Sequence, residues 1–269
     1  MHSISLEDNF ADVVRKAQRG LGLSSHTLAS RAGIPEEELA RVKEGHYNAA
    51  ALRKLAPVLG LAPQALAALP DYQPAPITLA RLATFSTAYG GMRVNAYLAW
   101  DAPGGHAAVF DTGTDCTAIL ETLRSKALTL CGIFVTHTHG DHIEALDRLR
   151  KETGARVFVS SREPLHGAAL FEAGREFACG RLRIATRLTW GHSRGGTTYV
   201  VRGLERPVAV VGDALFAGSM GGGLVSYADA LRTNRAEILT LPPETVICPG
   251  HGPLTTVAEE RLHNPFFAL

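Results

Sequence analysis

Hydrophobic positions along the chain change texture near residue 70. Across residues 6–69 the apolar residues fall in short helical stretches, cut by Gly20-Leu21-Gly22, Gly33-Ile34-Pro35, Gly45 and Gly60. Ser24 or Ser25 and Asn48 are predicted N-caps, because their side-chain oxygens can accept from the free amides of a first turn. Pro35 suits a first helical turn, where its missing amide donor costs nothing. No strand pattern appears in this part. Pro70-Asp71-Tyr72-Gln73-Pro74-Ala75-Pro76 then holds three prolines in seven residues and is predicted to be an extended linker.

Beyond the linker, strand patterns alternate with helical ones. β-type runs are predicted at residues 94–100 and 107–110, a helix at 117–128 and a buried strand at 132–135. Ile143, Leu146 and Leu149 recur at helical spacing. Further strands are predicted at 156–159, 183–188, 197–201, 208–211 and 245–248. The organisation expected is an all-helical domain at 1–70, a linker at 71–76 and a larger α/β domain at 77–269. Asp111, His137, Asp213 and His251 each follow a β-type run, where a rigid sheet can carry chemistry at its edge.

Composition narrows the function classes. With 46% hydrophobic and 20% charged residues, the 269-residue chain can bury a large core. A net charge of +1 gives no overall field toward nucleic acid or an anionic membrane. No apolar run approaches the length of about 18 residues that a membrane span requires. Residues 1–12 lack the apolar core of a signal peptide, so a cytoplasmic location is expected. Cys116, Cys131, Cys179 and Cys248 show no Cys-x-x-Cys pairing and read as free thiols, Cys248 as a buried one packing a strand.

The chemistry concentrates in Thr136-His137-Thr138-His139-Gly140-Asp141-His142. A His-x-His pair at a strand mouth can aim two imidazoles at one cation, while the Asp and His that follow open a helix and can face another. Imidazole and carboxylate suit zinc, iron(II) or manganese. Three further candidates stand in glycine-containing turns: His192 in Trp190-Gly191-His192-Ser193-Arg194-Gly195-Gly196, Asp213 in Val211-Gly212-Asp213-Ala214, and His251 in Cys248-Pro249-Gly250-His251-Gly252.

In this order, these residues resemble the ligand pattern of the metallo-β-lactamase superfamily, whose fold is an αββα sandwich with its site at one edge. The resemblance covers roughly residues 77–269. It implies that His137, His139 and His192 hold one metal, that Asp141, His142 and His251 hold another, and that Asp213 bridges them. Asp111, in Phe110-Asp111-Thr112-Gly113, matches the aspartate that supports a ligand by hydrogen bonding. The implied cofactors are two divalent ions, zinc foremost, with iron or manganese also suited. Two cations sharing a water lower its pKa toward neutrality and polarise a carbonyl, so Asp141 and Asp213 become catalytic candidates.

Residues 239–253 and His263-Asn264-Pro265-Phe266 resemble glyoxalase II-like members, which implies a thioester hydrolase acting on a small-molecule substrate. Met220-Gly221-Gly222-Gly223 departs from the usual Gly-Arg-Thr-Asp loop, and Ser193-Arg194-Gly195 from the usual Thr-Pro-Gly turn. Arg194 is therefore a candidate substrate cation or a solvated turn residue. A persulfide dioxygenase-like enzyme would instead use one iron on His137, His192 and Asp213. Phe216 stands where lactonase relatives place tyrosine, and the absence of an export signal argues against a β-lactamase.

Residues 1–70 resemble a phage repressor-type helix-turn-helix domain, through Leu23-Ser24-Ser25-His26-Thr27-Leu28-Ala29, Ala32-Gly33-Ile34 and Glu44-Gly45. That resemblance implies a DNA-binding regulator with a metabolite-sensing metal domain. Its charge opposes strong DNA binding: residues 1–70 hold eight Lys/Arg against seven Asp/Glu, and the would-be recognition helix begins Pro35-Glu36-Glu37-Glu38. The helices are expected to pack on the catalytic domain or to form a homodimer contact.

Overall fold

The computed structural model describes residues 5–268, so the two ends of the expected domain bounds, 1–4 and 269, lie outside the described residues. The N-terminal part runs through helices α1 (Phe10–Gly20), α2 (Ser25–Ala32), α3 (Glu36–Lys43), α4 (Ala49–Val58) and α5 (Pro63–Ala68), then a 3-10 turn at Leu69–Asp71. Asn9 caps α1 reciprocally: its side chain accepts from the amides of Ala11 and Asp12, and the Asp12 carboxylate accepts from the Asn9 amide. Ser24 and Asn48 cap α2 and α4, as their side-chain chemistry predicts. Pro35 sits one place earlier than expected, at the N-cap of α3, and Pro63 occupies a first turn, that of α5.

Two six-stranded sheets follow. The first has the order β1 (Leu82–Tyr89), β2 (Met92–Trp100), β3 (His106–Phe110), β4 (Thr129–Phe134), β5 (Val157–Ser160) and β6 (Ala169–Phe171). The second has the reverse of chain order, from β12 (Thr255–Thr256) through β11 (Val246–Pro249), β10 (Val208–Gly212), β9 (Thr197–Arg202) and β8 (Leu182–Leu188) to β7 (Glu176–Cys179). The predicted strands match within a few residues. The strand β1 escaped prediction because Ala83, Thr84, Ser86 and Thr87 show no apolar alternation, although it pairs antiparallel with β2 over its whole length.

Period-2 alternation explains the layering. On β3, Ala108 and Phe110 join the core between the sheets, whereas Ala107 and Val109 face the opposite way. There they meet α6 (Thr117–Ser125) and α8 (Leu146–Thr153), through Ile119, Leu120, Leu146 and Leu149. On β10, Val208 and Val210 point inward while Ala209 and Val211 face outward. Their outer cluster includes Val13, Val14 and Ala17 of α1 together with Leu28, Leu52 and Leu55. Burying each such Val or Leu side chain contributes about 1.5–3 kcal/mol, so the N-terminal helices complete the core over the second sheet. The order of layers is thus helix, sheet, sheet, helix, an αββα sandwich with an N-terminal helical region.

The linker is extended but held. Tyr72 stacks on His263 at 4.9 Å, and its hydroxyl donates to Glu260 at 3.2 Å. Both partners lie on α9 (Val257–His263). The free-thiol expectation is corrected at two cysteines: Cys131 and Cys179 form a disulfide, with Cα atoms 5.7 Å apart. They are 48 positions apart, but β4 and β7 belong to opposing sheets whose inner faces meet. Spacing along the chain cannot show that juxtaposition. Cys116 and Cys248 remain free and buried, the latter on β11. No described helix is long and apolar enough to cross a membrane.

Candidate metal centre

The ends of β3, β4, β10 and β11 meet at one edge of the sandwich, and each delivers a polar residue there. After β3, Asp111 turns the chain with φ of 56°, an uncommon conformation that aspartate tolerates better than most residues. Its carboxylate accepts from the Thr136 amide at 2.7 Å, from the Thr136 hydroxyl at 2.7 Å and from His142 Nδ1 at 2.8 Å. One buried carboxylate thereby ties the β3 end to the β4 loop and to α7 (Gly140–Ile143).

Two groups of side chains converge beside this knot. His137, His139, His192 and Asp213 form one, and Asp141, His142 and His251 the other; within each, the ligand-type atoms lie within 4.8 Å of one another. In the first group, His137 Nε2 and His192 Nε2 each lie 3.0 Å from His139 Nδ1. One nitrogen facing two others at that distance is the arrangement a shared cation would satisfy. Asp213 reaches both groups: it lies 3.5 Å from His192 Nε2 and 4.0 Å from His137 Nε2, but also 3.2 Å from His142 and 3.4 Å from His251. Asp141 stands 3.3 Å from His251 Nε2 and 3.6 Å from His142 Nε2.

Four of the imidazoles are aimed by their outer nitrogens. His142 Nδ1 donates to Asp111, His192 Nδ1 to the Gly222 carbonyl at 2.9 Å, and His251 Nδ1 to the Arg93 carbonyl at 2.7 Å. His137 Nδ1 donates to the Thr136 hydroxyl at 3.1 Å, whose own proton goes to Asp111. Each contact leaves Nε2 as the atom directed into the cluster, the usual device for orienting metal-binding histidines. Gly250 is required for closure: a Cβ there would lie 2.2 Å from Asp213 Oδ1 and 2.6 Å from His142 Cε1.

The donor set fits divalent metal. His142 Nε2 and Asp213 Oδ1 are buried, face each other, and have no hydrogen-bond partner among the described residues. Such atoms are costly to leave unsatisfied, and a cation between them satisfies both. Burial holds His137 and His192 below the ordinary imidazole pKa. Burial also opposes charge on His142, but Asp213 and Asp111 outweigh it and raise its pKa to about 10. The same balance at His251, with hydrogen bonds to Asp141 and Asp213, gives about 11. Burial resists ionisation of Asp213, yet His142 and His251 hold its carboxyl well below the usual range.

A model of the metallo-beta-lactamase superfamily matches residues 89–251, more than half of the chain. The chain belongs to the metallo-β-lactamase superfamily. Superfamily members bind divalent metals, in keeping with the His/Asp cluster. Among curated relatives, the probable metallo-hydrolase YqgX of Bacillus subtilis is 32% identical over 184 residues, covering 59% of this chain and 85% of that protein. A hydroxyacylglutathione hydrolase of Fuscovulum blasticum is 31% identical over 159 residues, or 58% of this chain and 61% of its own length. Among solved structures, the B3 metallo-β-lactamase BLEG-1 superposes with a TM-score of 0.62 at 28% identity, over 70% of this chain and 100% of that one. ETHE1 from Myxococcus xanthus gives 0.60 at 27%, over 68% and 83%.

Every predicted ligand-type residue of this superfamily chain lies in the cluster, and Asp111 lies directly behind it. Arg194 does not: it is exposed and makes no side-chain hydrogen bond among the described residues. Sequence reasoning missed Asn95, a polar residue within the apolar run of β2. Its side chain donates to the carbonyls of Pro249 at 3.2 Å and Gly252 at 2.9 Å, clamping the turn that carries His251. Asn264 was read only as part of a resemblance. Buried, it donates to the Ser219 carbonyl and to Glu260, each at 2.7 Å, and anchors the loop after Asp213.

Proposed function

We propose that this chain is a thioester hydrolase of the hydroxyacylglutathione type, working at a two-cation centre. The observation that carries the reading is the completeness of both groups, with Asp213 within reach of each. His137, His139, His192 and Asp213 would hold one ion; Asp141, His142, His251 and Asp213 would hold the other. Zinc suits these donors, as do iron and manganese. Bound there, the ions would supply an activated water at neutral pH and a Lewis acid for the carbonyl oxygen.

The chain's own residues do the rest. Asp111 fixes the tautomer of His142 and, through Thr136, that of His137. Asp141, while one of its oxygens faces His251 and His142, would pass a proton to the departing sulfur. The C–S bond breaks as the C–O bond forms, giving an acid and a thiol. Neither free cysteine offers a competing nucleophile, because burial pushes the thiols of Cys116 and Cys248 upward and keeps them neutral. The relatives named metallo-hydrolase and hydroxyacylglutathione hydrolase support this reading.

A second reading is a persulfide dioxygenase-like enzyme with one iron on His137, His192 and Asp213, which converge in the first group. It leaves Asp141, His142 and His251 without a task, although they converge as closely as the first group. A DNA-binding regulator gains no support from α3, whose first turn presents Glu36, Glu37 and Glu38. Metal quantification with thioester, lactone and persulfide substrates separates these readings. Thioester turnover with two ions per chain is the expected result. A single iron with oxygen uptake on a persulfide would overturn it.

A further inference from the structure

We propose that helix α1 supplies a cationic subsite to the reaction centre, with Arg19 receiving a carboxylate carried by the substrate. This inference rests on the hydrolase reading and names the class of thioester: one bearing an anionic group on a short apolar arm.

The apolar face of α1 is consumed by the core through Val13, Val14 and Ala17. Its opposite edge lies against the loop after Asp213. Lys16 Nζ donates to the Met220 carbonyl at 2.9 Å, pairs with Asp8 and sits 5.1 Å from the Phe216 ring centroid. The Phe216 ring in turn meets His251 edge-on at 5.6 Å. Asp8 also accepts from the Ser219 hydroxyl. The charge of Lys16 is therefore spent on holding the helix to the loop.

Arg19, three residues further along, is in a different position. It is exposed and forms no ion pair among the described residues. A methyl group built on Gly222 would lie 3.7 Å from Arg19 Nη2, and the carbonyl of the same Gly222 accepts from His192 Nδ1. A single residue thus separates the free guanidinium from an imidazole of the centre. Between α1 and the loop lies a cavity of about 240 Å³, bounded by Lys16, Arg19, Gly223, Leu224, Val225 and Tyr227. Leu224 and Val225 are 64% and 45% exposed, an apolar surface beside the cation. The loop is no loose flap, for the amides of Val225 and Ser226 both donate to the Gly191 carbonyl, next to His192.

These features define a ligand chemistry. A planar guanidinium donates two parallel hydrogen bonds to a carboxylate, and adjacent methyl groups favour a few methylenes before the anionic end. The helical region then serves the reaction directly, beyond its part in the core.

The test compares two acetyl thioesters that differ only in charge, those of 3-mercaptopropionate and 3-mercaptopropanamide. The wild-type protein is expected to favour the carboxylate by about tenfold or more in kcat/KM, through KM, as a hydrogen-bonded ion pair implies. Arg19→Ala should abolish that ratio, Arg19→Lys should keep part of it, and Arg19→Glu should invert it. Calorimetry with the uncleavable thioether 3-(propylthio)propionate reads the subsite without turnover, with binding expected for wild type and lost in Arg19→Ala. An unchanged carboxylate preference in Arg19→Ala, or no preference in wild type, overturns the proposal. If wild type cleaves neither thioester, the hydrolase reading fails, and the thioether binding still decides whether Arg19 forms the subsite.

Discussion

His137, His139, His192 and Asp213 share a cluster with Asp141, His142 and His251, yet the balance between burial and neighbouring charge falls in opposite directions on the histidines of the two groups. In the first, burial dominates and keeps His137 and His192 neutral, with lone pairs available. In the second, Asp141, Asp213 and Asp111 surround His142 and His251 and raise their pKa values to about 10 and about 11. Without a cation, the second group balances its carboxylates with protons on the same nitrogens that face the cluster. Neighbouring groups of similar composition therefore need not bind metal alike. One is ready for a cation, and the other must exchange protons for it.

Asp213 is where the comparison breaks most completely, because it touches both groups. Asp213→Ala should strip metal from both and lower hydrolysis by on the order of a thousandfold, as expected when a group stabilising the reaction's charge is removed. Metal content measured beside circular dichroism checks this; full metal and full activity in a folded variant would refute the shared role. Asp111→Asn should act unevenly. Asparagine tolerates the positive φ of this position, so the change isolates the charge from the backbone. The ion of the His142 group should bind about 10–100-fold more weakly, and the other should change less. Competition with a chromophoric chelator measures both constants, and equal weakening would erase the distinction.

The seven ligand-type residues were legible because they stand in short, chemically unusual strings, His137 to His142 and the glycine-containing turns around His192, Asp213 and His251. Layering was legible from alternation on β3 and β10. Cys131 and Cys179 were not, since their contact depends on which sheet each strand joins. Nor was the placement of α1: Lys16 meets Met220 across 204 positions, and no local pattern encodes a contact of that range. Asn95 carried a faint signal, a polar side chain in a buried run, whose meaning appears only when the His251 turn lies beside it.

Zinc titration of the metal-free protein, followed by calorimetry at pH 7.5 in two buffers of different ionisation enthalpy, decides whether the chain holds two cations. The shifts set the sign. His137 and His192 are neutral at this pH, so the first equivalent displaces no proton from them. His142 and His251 are protonated in the cation-free chain, so the second equivalent releases protons and binds more tightly as pH rises. Two equivalents per chain are expected, with proton release concentrated in the second. Saturation at one equivalent at every pH where the protein stays folded would contradict the two-cation centre.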